Sequence, residues 1–484
     1  MTPNKFGRRE LLCLIAATSG GLLTAVGLGN VRRVSAQSGT PDWTLLQNRV
    51  RGRVTASNGA GYERQRRAMV WNAVKPDRFP AAIVHAASEA DVREAIRFAR
   101  QHHLKVAIRG GGHNWHNAAI RQGGLLLDLS GLNQVEVDAA RQRAVVQPGV
   151  MGAAFIGKLA PHGLAFPVAG NGQVGLSGFL LNGGLGRNYR VWGPSCASVE
   201  AIDMVDARGE SLHADRNQNA ELFWAARGAG PGFFGIVTRF YLNVYPLPRA
   251  IMRSNLSFAR EDGEKMAAWL TQLGPLAPPV QVNCSLANGA WRIVAVAFTD
   301  TVSDGRDALR PLETQPASLT ALTKNLYQEV SVEALIGSPN DPFEEGPRYI
   351  GDTMWSDASP RDLVGAVRDA TRTAPPGSAI SFISLLRPAE PRQPDMAFSV
   401  SASTYVHAHG IWNDPALDAM NHAWVRSTIA SLEPLKTGYY VGEADLSIAP
   451  DRAKQCFSSS AWDKLIQIKR KYDPEDVFFS YLIS

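Results

Sequence analysis

Arg109-Gly110-Gly111-Gly112-His113-Asn114 lies between two apolar runs, Lys105-Val106-Ala107-Ile108 before it and Leu125-Leu126-Leu127-Asp128-Leu129 after it. Short apolar runs bounded by glycine read as buried strands, so a strand enters a glycine turn and the chain returns to a second strand. Three consecutive glycines are costly in backbone entropy. They suit a place where main-chain N–H groups approach a ligand closely. The stretch therefore predicts a loop that holds a phosphate-bearing cofactor, with a nucleophilic imidazole at its end.

Upstream, Gly7-Arg8-Arg9-Glu10-Leu11-Leu12 opens an apolar run that reaches about Leu28 and ends in Val34-Ser35-Ala36. Paired arginines, an apolar core and a small residue at the exit form a twin-arginine export signal. Gly20, Gly21, Gly27 and Gly29 interrupt the run, which makes it a poor membrane anchor; an uncleaved anchor is the alternative. The expected partner is the export machinery and the expected location periplasmic or secreted. A route that carries folded proteins suits a cofactor installed before export.

Removal of residues 1–36 takes away five cations (Lys5, Arg8, Arg9, Arg32, Arg33) and one anion (Glu10), so the formal net charge falls from +6 to +2. No basic block with interleaved aromatics remains, which argues against nucleic acid as a partner. Cys196, Cys284 and Cys456 make neither a disulfide framework nor a CxxC metal site, and three buried thiols are expected. At 45% hydrophobic content the remaining chain can bury sizeable cores.

From residue 81 the texture is strand, helix, strand. Ser88 and Asp91 form a capping box ahead of a helix whose apolar face is Val92, Ala95, Ile96 and Ala99. Short strands are expected at 124–129, 134–137 and 143–147, a helix at 153–159, a hairpin around Arg208-Gly209, a helix at 221–226 and a strand at 236–244. Beyond 248 the segments lengthen and glycine thins. Antiparallel strands are expected at 291–298 and 398–406, with helices at 264–273, 361–371, 415–432 and 464–469, the last ending at Asp473-Pro474. Gly230-Pro231-Gly232-Phe233-Phe234-Gly235 matches GxGxxG, yet a helix-like segment precedes it and β-branched Ile236-Val237-Thr238 follows. That order is inverted for a dinucleotide fingerprint.

Four stretches taken together resemble one family: Arg109 to Asn114, the glycine-rich 170–186, Glu221-Leu222-Phe223-Trp224-Ala225-Ala226-Arg227-Gly228 with Phe234 to Thr238, and Ile468-Lys469-Arg470-Lys471-Tyr472-Asp473-Pro474 with Glu475 to Phe478. In this order and spacing the chain is similar to the berberine-bridge-enzyme-like FAD-linked oxidases of the vanillyl-alcohol-oxidase and p-cresol-methylhydroxylase (PCMH) superfamily. The resemblance implies an α+β fold, a two-part PCMH-type FAD-binding domain with an inserted substrate domain of antiparallel sheet and helices. The boundaries it suggests are 1–36 for the signal, 37–75 and 76–247 for the first part of the FAD domain, 248–433 for the substrate domain, and 434–484 for the returning segment. It further implies FAD bonded covalently to His113 through the flavin 8α carbon. Many members add a cysteine tether, but the matching position here is Asn171, so a single linkage is expected; Cys196 is a poor substitute. The resemblance places Arg109, Gly110, Gly111, Gly112, Asn114, Pro167, Gly170, Asn171, Gly172, Val174, Gly175, Gly178, Gly183, Ile236, Val237 and Thr238 against the cofactor. Val174, a small residue, resembles the oxygen-reactive members.

On the catalytic side, Tyr440 in Gly438-Tyr439-Tyr440-Val441-Gly442-Glu443 falls at the family's tyrosine. A tyrosinate could remove a hydroxyl proton only with its pKa well below about 10, by nearby positive charge. Gly442 replaces the family's asparagine and Ala461-Trp462 a usual Asn-Tyr pair, and both departures fall where substrate is handled. Glu443 is the rival base. Arg292 and His407 are expected in the substrate pocket; His407 and His409 share a strand face but show no third metal ligand, so no metal is expected. The expected function is an exported oxidase that moves a hydride from a C–OH or activated C–H of a small alcohol, sugar or phenolic to FAD and gives H2O2 from O2. The alternatives are a dehydrogenase with a quinone or cytochrome acceptor and a flavin-bearing binding protein without turnover.

Overall fold

The chain alternates short helices with strands that gather into three main sheets, and the computed structural model describes residues 41–274, 276–336, 346–384, 394–448 and 450–482. The export signal read from residues 1–36 lies outside the described residues.

The first sheet holds β1 (Arg53–Ala56), β2 (Pro80–His85), β3 (Val106–Arg109) and β4 (Gly123–Asp128) in the order β1-β2-β4-β3. β2, β3 and β4 run parallel, and β1 pairs antiparallel with β2. The helix Glu89–Gln101 makes the crossover from β2 to β3. It starts where the Ser88 hydroxyl accepts the Asp91 N–H, and it buries Val92, Ala95, Ile96 and Ala99, the face read from the sequence. The second sheet is antiparallel. It takes β5 (Val135–Asp138) and β6 (Arg143–Val146), then, after the short β7 (Leu164–Ala165), β8 (Val199–Val205), β9 (Ser211–Asp215) and β10 (Ile236–Asn243), in the order β5-β6-β10-β8-β9. β11 (Tyr245–Pro246) pairs with β7.

The third sheet has seven antiparallel strands: β12 (Ala250–Ala259), β13 (Val280–Ala287), β14 (Ala290–Thr299), β15 (Ala321–Glu329), β16 (Arg348–Ser356), β17 (Ser378–Ser384) and β18 (Thr404–Trp412). Their order is β15-β12-β14-β13-β17-β18-β16. The chain then turns back: Val106 of β3 donates its N–H to the Val477 carbonyl at 2.8 Å and accepts from Phe479 N–H at 3.0 Å. Residues 477–479 thus cover the open edge of β3.

Two expectations are corrected. A strand was expected over 398–406, but β18 starts at Thr404. Phe398 instead donates its N–H to the Arg227 carbonyl at 2.9 Å, which draws 398–403 across to the Gly228 corner. The helix expected at 361–371 is two, Pro360–Ala366 and Arg368–Arg372, because Val367 leaves the helical region at φ −99° and ψ 8°. Cys196, Cys284 and Cys456 are free and buried, as expected.

Candidate active site

β3 delivers the glycine turn into the gap between the first sheet and the loop 170–178. A Cβ on Gly111 would stand 2.7 Å from the Gly175 Cα, so two backbones touch here and no side chain fits between them. Gly112 takes φ +72°, the left-handed region that glycine enters without strain. Arg109 lines the cavity, but its guanidinium serves the turn. It donates to Asp128 at 2.9 Å, to the Met69 carbonyl at 3.1 Å and to the Gly111 carbonyl at 3.1 Å.

His113 stacks on Trp71, ring centroids 4.3 Å apart and planes 6° from parallel. Burial pushes its pKa down to about 4, so the imidazole is neutral at physiological pH and keeps a nucleophilic lone pair. Trp71 also meets Tyr349 at 4.0 Å and Trp115 at 5.4 Å. Sequence reasoning missed Trp71, because nothing in its neighbourhood marks a contact forty residues downstream.

A cavity of about 410 Å³ opens from this turn. The expected cofactor residues Arg109, Gly110, Gly111, Gly112, His113, Asn114, Gly170, Asn171, Val174, Gly175, Gly178, Ile236 and Val237 all line it. The Asn171 carboxamide accepts the Gln173 N–H at 2.8 Å and so shapes the loop where relatives of the type expected carry a second tether. The wall fits FAD. Bare backbone runs along it, at Gly110, Gly111, Gly112 and Gly175 because neighbouring atoms leave no room for a Cβ, and a neutral imidazole stands at one end.

Five expected residues stand elsewhere. Pro167 turns its carbonyl to the Ser195 hydroxyl at 2.5 Å, and Gly172 gives its N–H to the Ile336 carbonyl at 2.7 Å. Gly183 is packed beneath the Phe398 ring. Thr238 sits where β10 slips register against β8, between Val237 and Arg239, and donates its hydroxyl to Glu89 at 2.9 Å. Arg292 is exposed, four residues along β14 from Val296, which opposes the cavity-lining Gln281. At a strand rise of about 3.3 Å per residue that places it roughly 13 Å along the strand from that pair.

The segment that carries Tyr440 and Glu443 is pinned to β16 by Trp355 N–H to the Gly438 carbonyl and Thr437 N–H to the Trp355 carbonyl, both 2.8 Å. Tyr440 is buried among Trp355, Phe398 and Tyr405, and its hydroxyl accepts the Gly184 N–H at 3.2 Å. Burial, with Glu443 nearby, holds its pKa well above the ordinary tyrosine value, and among the described residues no cation offsets this. The tyrosinate reading of Tyr440 is therefore corrected. Glu443 is partly exposed into the cavity, where its carboxylate accepts from the Tyr405 hydroxyl and the Trp115 indole N–H. Burial raises its pKa above the carboxylate value, and those two bonds oppose the rise.

The glycine at 442 has a steric cause. A Cβ there would stand 2.9 Å from both the Asn182 Cβ and the Tyr440 ring, so the family's asparagine does not fit. The Gly442 carbonyl accepts the Asn114 amide at 3.2 Å, which ties the glycine turn to this segment. His407 lines the cavity 5.0 Å from Trp115 and 4.8 Å from His409, ring to ring. Burial depresses both imidazoles, His409 to about 4, so both are neutral. Among the described residues no group of three or more His, Cys, Asp or Glu side chains is placed to hold a metal ion. Tyr405 escaped the sequence reading, although it sits two residues before His407 on the same strand face and the strand period could have found it.

Comparison with known proteins agrees with this geometry. Residues 80–215 match the family model of the FAD binding domain. The chain is 31% identical over 421 residues to the FAD-linked oxidoreductase janO of Penicillium janthinellum, covering 84% of this chain and 92% of that protein. It superposes on BBE-like 1 of Physcomitrella patens with a TM-score of 0.80 at 18% identity, over 90% of this chain and 98% of that one. Two variants of the grass pollen allergen Phl p 4 superpose with TM-scores of 0.77 and 0.79 at 18% and 17% identity, covering 88% and 91% of this chain and 95% and 98% of theirs. The variant with an added isoleucine-to-valine change is described as a glucose oxidase, and the one without it as a glucose dehydrogenase. The chain belongs to the FAD-linked oxidoreductases, is an FAD-dependent oxidoreductase and shares its fold with the BBE-like proteins.

Proposed function

We propose that this protein is an exported flavoprotein oxidase whose FAD is held by a single covalent bond to His113 and whose substrate is a small alcohol, sugar or phenolic. The observation that carries the reading is the pairing, in one cavity wall, of a neutral buried imidazole on the glycine turn with a hydrogen-bonded carboxylate, Glu443. When bound, FAD supplies a hydride acceptor and a path for electrons to O2. Main-chain groups of Gly111, Gly175 and their neighbours would hold it, and His113 would tether it. Glu443 takes the hydroxyl proton of the substrate at its carboxylate oxygen as the C–H bond breaks. Trp115, Tyr405 and Tyr440 line the cavity with His407 and Gln281, a mixed aromatic and polar wall that suits a small cyclic body bearing hydroxyls.

Val174 favours the oxidase over a dehydrogenase. It lines the cavity as a small side chain, and in Phl p 4 an isoleucine-to-valine change accompanies the description as an oxidase. The export reading rests on Arg8 and Arg9 ahead of the apolar run. Arg8→Lys together with Arg9→Lys is expected to hold the protein in the cytoplasm, and unchanged fractionation would end that reading.

The function is tested by mixing the enzyme anaerobically with sugars, alcohols and phenolics, watching the flavin bleach, and then admitting air. Bleaching by one of these classes with fast return of colour is expected. Slow return would mean a dehydrogenase, and no bleaching a binding protein without turnover.

A further inference from the structure

Asn114, Trp115 and His116 follow the tether histidine, and each grips the segment that carries Glu443. The Asn114 amide donates to the Gly442 carbonyl at 3.2 Å, the Trp115 indole donates to the Glu443 carboxylate, and His116 Nε2 lies 3.2 Å from the Glu443 carbonyl. From the opposite side β18 brings the Tyr405 hydroxyl onto the same carboxylate. The turn read from the sequence as a cofactor loop is thus also one jaw of a clamp on the carboxyl, and the seven-stranded sheet is the other.

We propose that Trp115 and Tyr405 are positioning residues, a two-donor clamp that aims the Glu443 carboxylate into the cavity and favours its ionised form. The proposal rests on Glu443 being the base. Its geometry is unequal to packing alone: both donors end on the carboxylate, while their rings are engaged elsewhere, Trp115 on His407 at 5.0 Å and Tyr405 on Trp355 at 5.4 Å. Among the described residues, the other titratable groups close to Glu443 are Tyr440 and Asp445 on its own segment, His116 on the turn and His407 on β18. Asp445 faces away, toward His116 at 3.7 Å and Arg426 at 3.5 Å. No cation bonds the carboxylate, so the two neutral donors are what opposes the cost of burying its charge.

The sign follows directly. A donor bonded to the charged form lowers a carboxyl pKa, so loss of either donor moves the titration to higher pH. One such bond is worth roughly one pH unit, a tenfold change in the proton concentration at the midpoint.

The experiment follows the protonated carboxyl band of Glu443 by infrared difference spectroscopy of the holoenzyme over a pH series, with Glu443→Gln identifying the band by its loss. Tyr405→Phe and Trp115→Phe keep their rings and lose one donor each, and each is expected to raise the midpoint by about one pH unit. A midpoint that stays or falls in either folded variant overturns the clamp, and the two variants stand in for each other should one fail to fold. The base reading fails separately, if Glu443→Gln turns over a compound that bleaches the wild-type flavin.

Discussion

His113→Ala is expected to abolish covalent flavin completely. Wild-type protein, unfolded and run on a denaturing gel, should carry a yellow fluorescent band, and the variant none. Completeness is the informative part, because a second tether would leave a fraction behind. Asn171 stands where relatives of the expected type carry the second nucleophile, and its carboxamide is occupied in the loop by the Gln173 N–H. Cys196 is no substitute. It is fully buried, its thiol is pushed up to about 12 by that burial, and its Sγ lies 3.5 Å from the Met396 Sδ. His113 differs on each count: it lines the cavity, and burial keeps it neutral. The same variant should still bind FAD without a covalent bond, since the Gly111–Gly175 cradle is backbone and does not depend on the imidazole. Residual gel fluorescence in His113→Ala would refute the single tether and point to another nucleophile in the wall.

Much of the cofactor side was legible because its signals are local. The glycine run follows an apolar strand, and Gly111 and Gly112 are required by contacts and a φ that a triple glycine announces. The helix after β2 was readable from Ser88 and from its 3.6-residue apolar face for the same reason. What was not legible depends on facing. Thr238 stands one residue beyond two cavity-lining neighbours, at a register slip between Val237 and Arg239 that its own sequence does not announce, and it bonds Glu89 instead. Arg292 belongs to the right sheet and to the same cross-strand row as His407, but three strands away from it. On the catalytic side the difference is electrostatic. Tyr440 sits at the family's position, yet its surroundings are aromatic and acidic, and neither property is visible from residues 438–445 alone. Trp71, Trp115 and Tyr405 acquire their roles from partners brought together by the fold, which a reading along the chain cannot see.

The same contrast makes Glu443→Gln the sharpest test of the chemistry. Loss of a general base costs about 10²–10⁴ in rate, and that range is expected for flavin reduction by whichever substrate bleaches the wild type. The glutamine retains a carbonyl oxygen that can accept from Tyr405 and Trp115, so the clamp keeps its shape while the proton acceptor is gone. Stability should move the opposite way. The folded-state pKa of Glu443 lies above its ordinary value of 4.5, so the folded protein holds this proton more tightly than the unfolded chain. The stabilising contribution is present below 4.5 and is lost as the pH rises through the folded value. Above the folded value the wild type therefore carries a buried charge that the glutamine lacks, and there the variant should melt at an equal or higher temperature. The advantage should fade on acidification below the carboxylate range. A residue that only shaped the pocket would lose stability and rate together, whereas a base is expected to lose rate alone. A loss in flavin reduction of less than about tenfold would remove Glu443 from the role, and, with Tyr440 held well above the range of a base, would direct attention to His407 in the same wall.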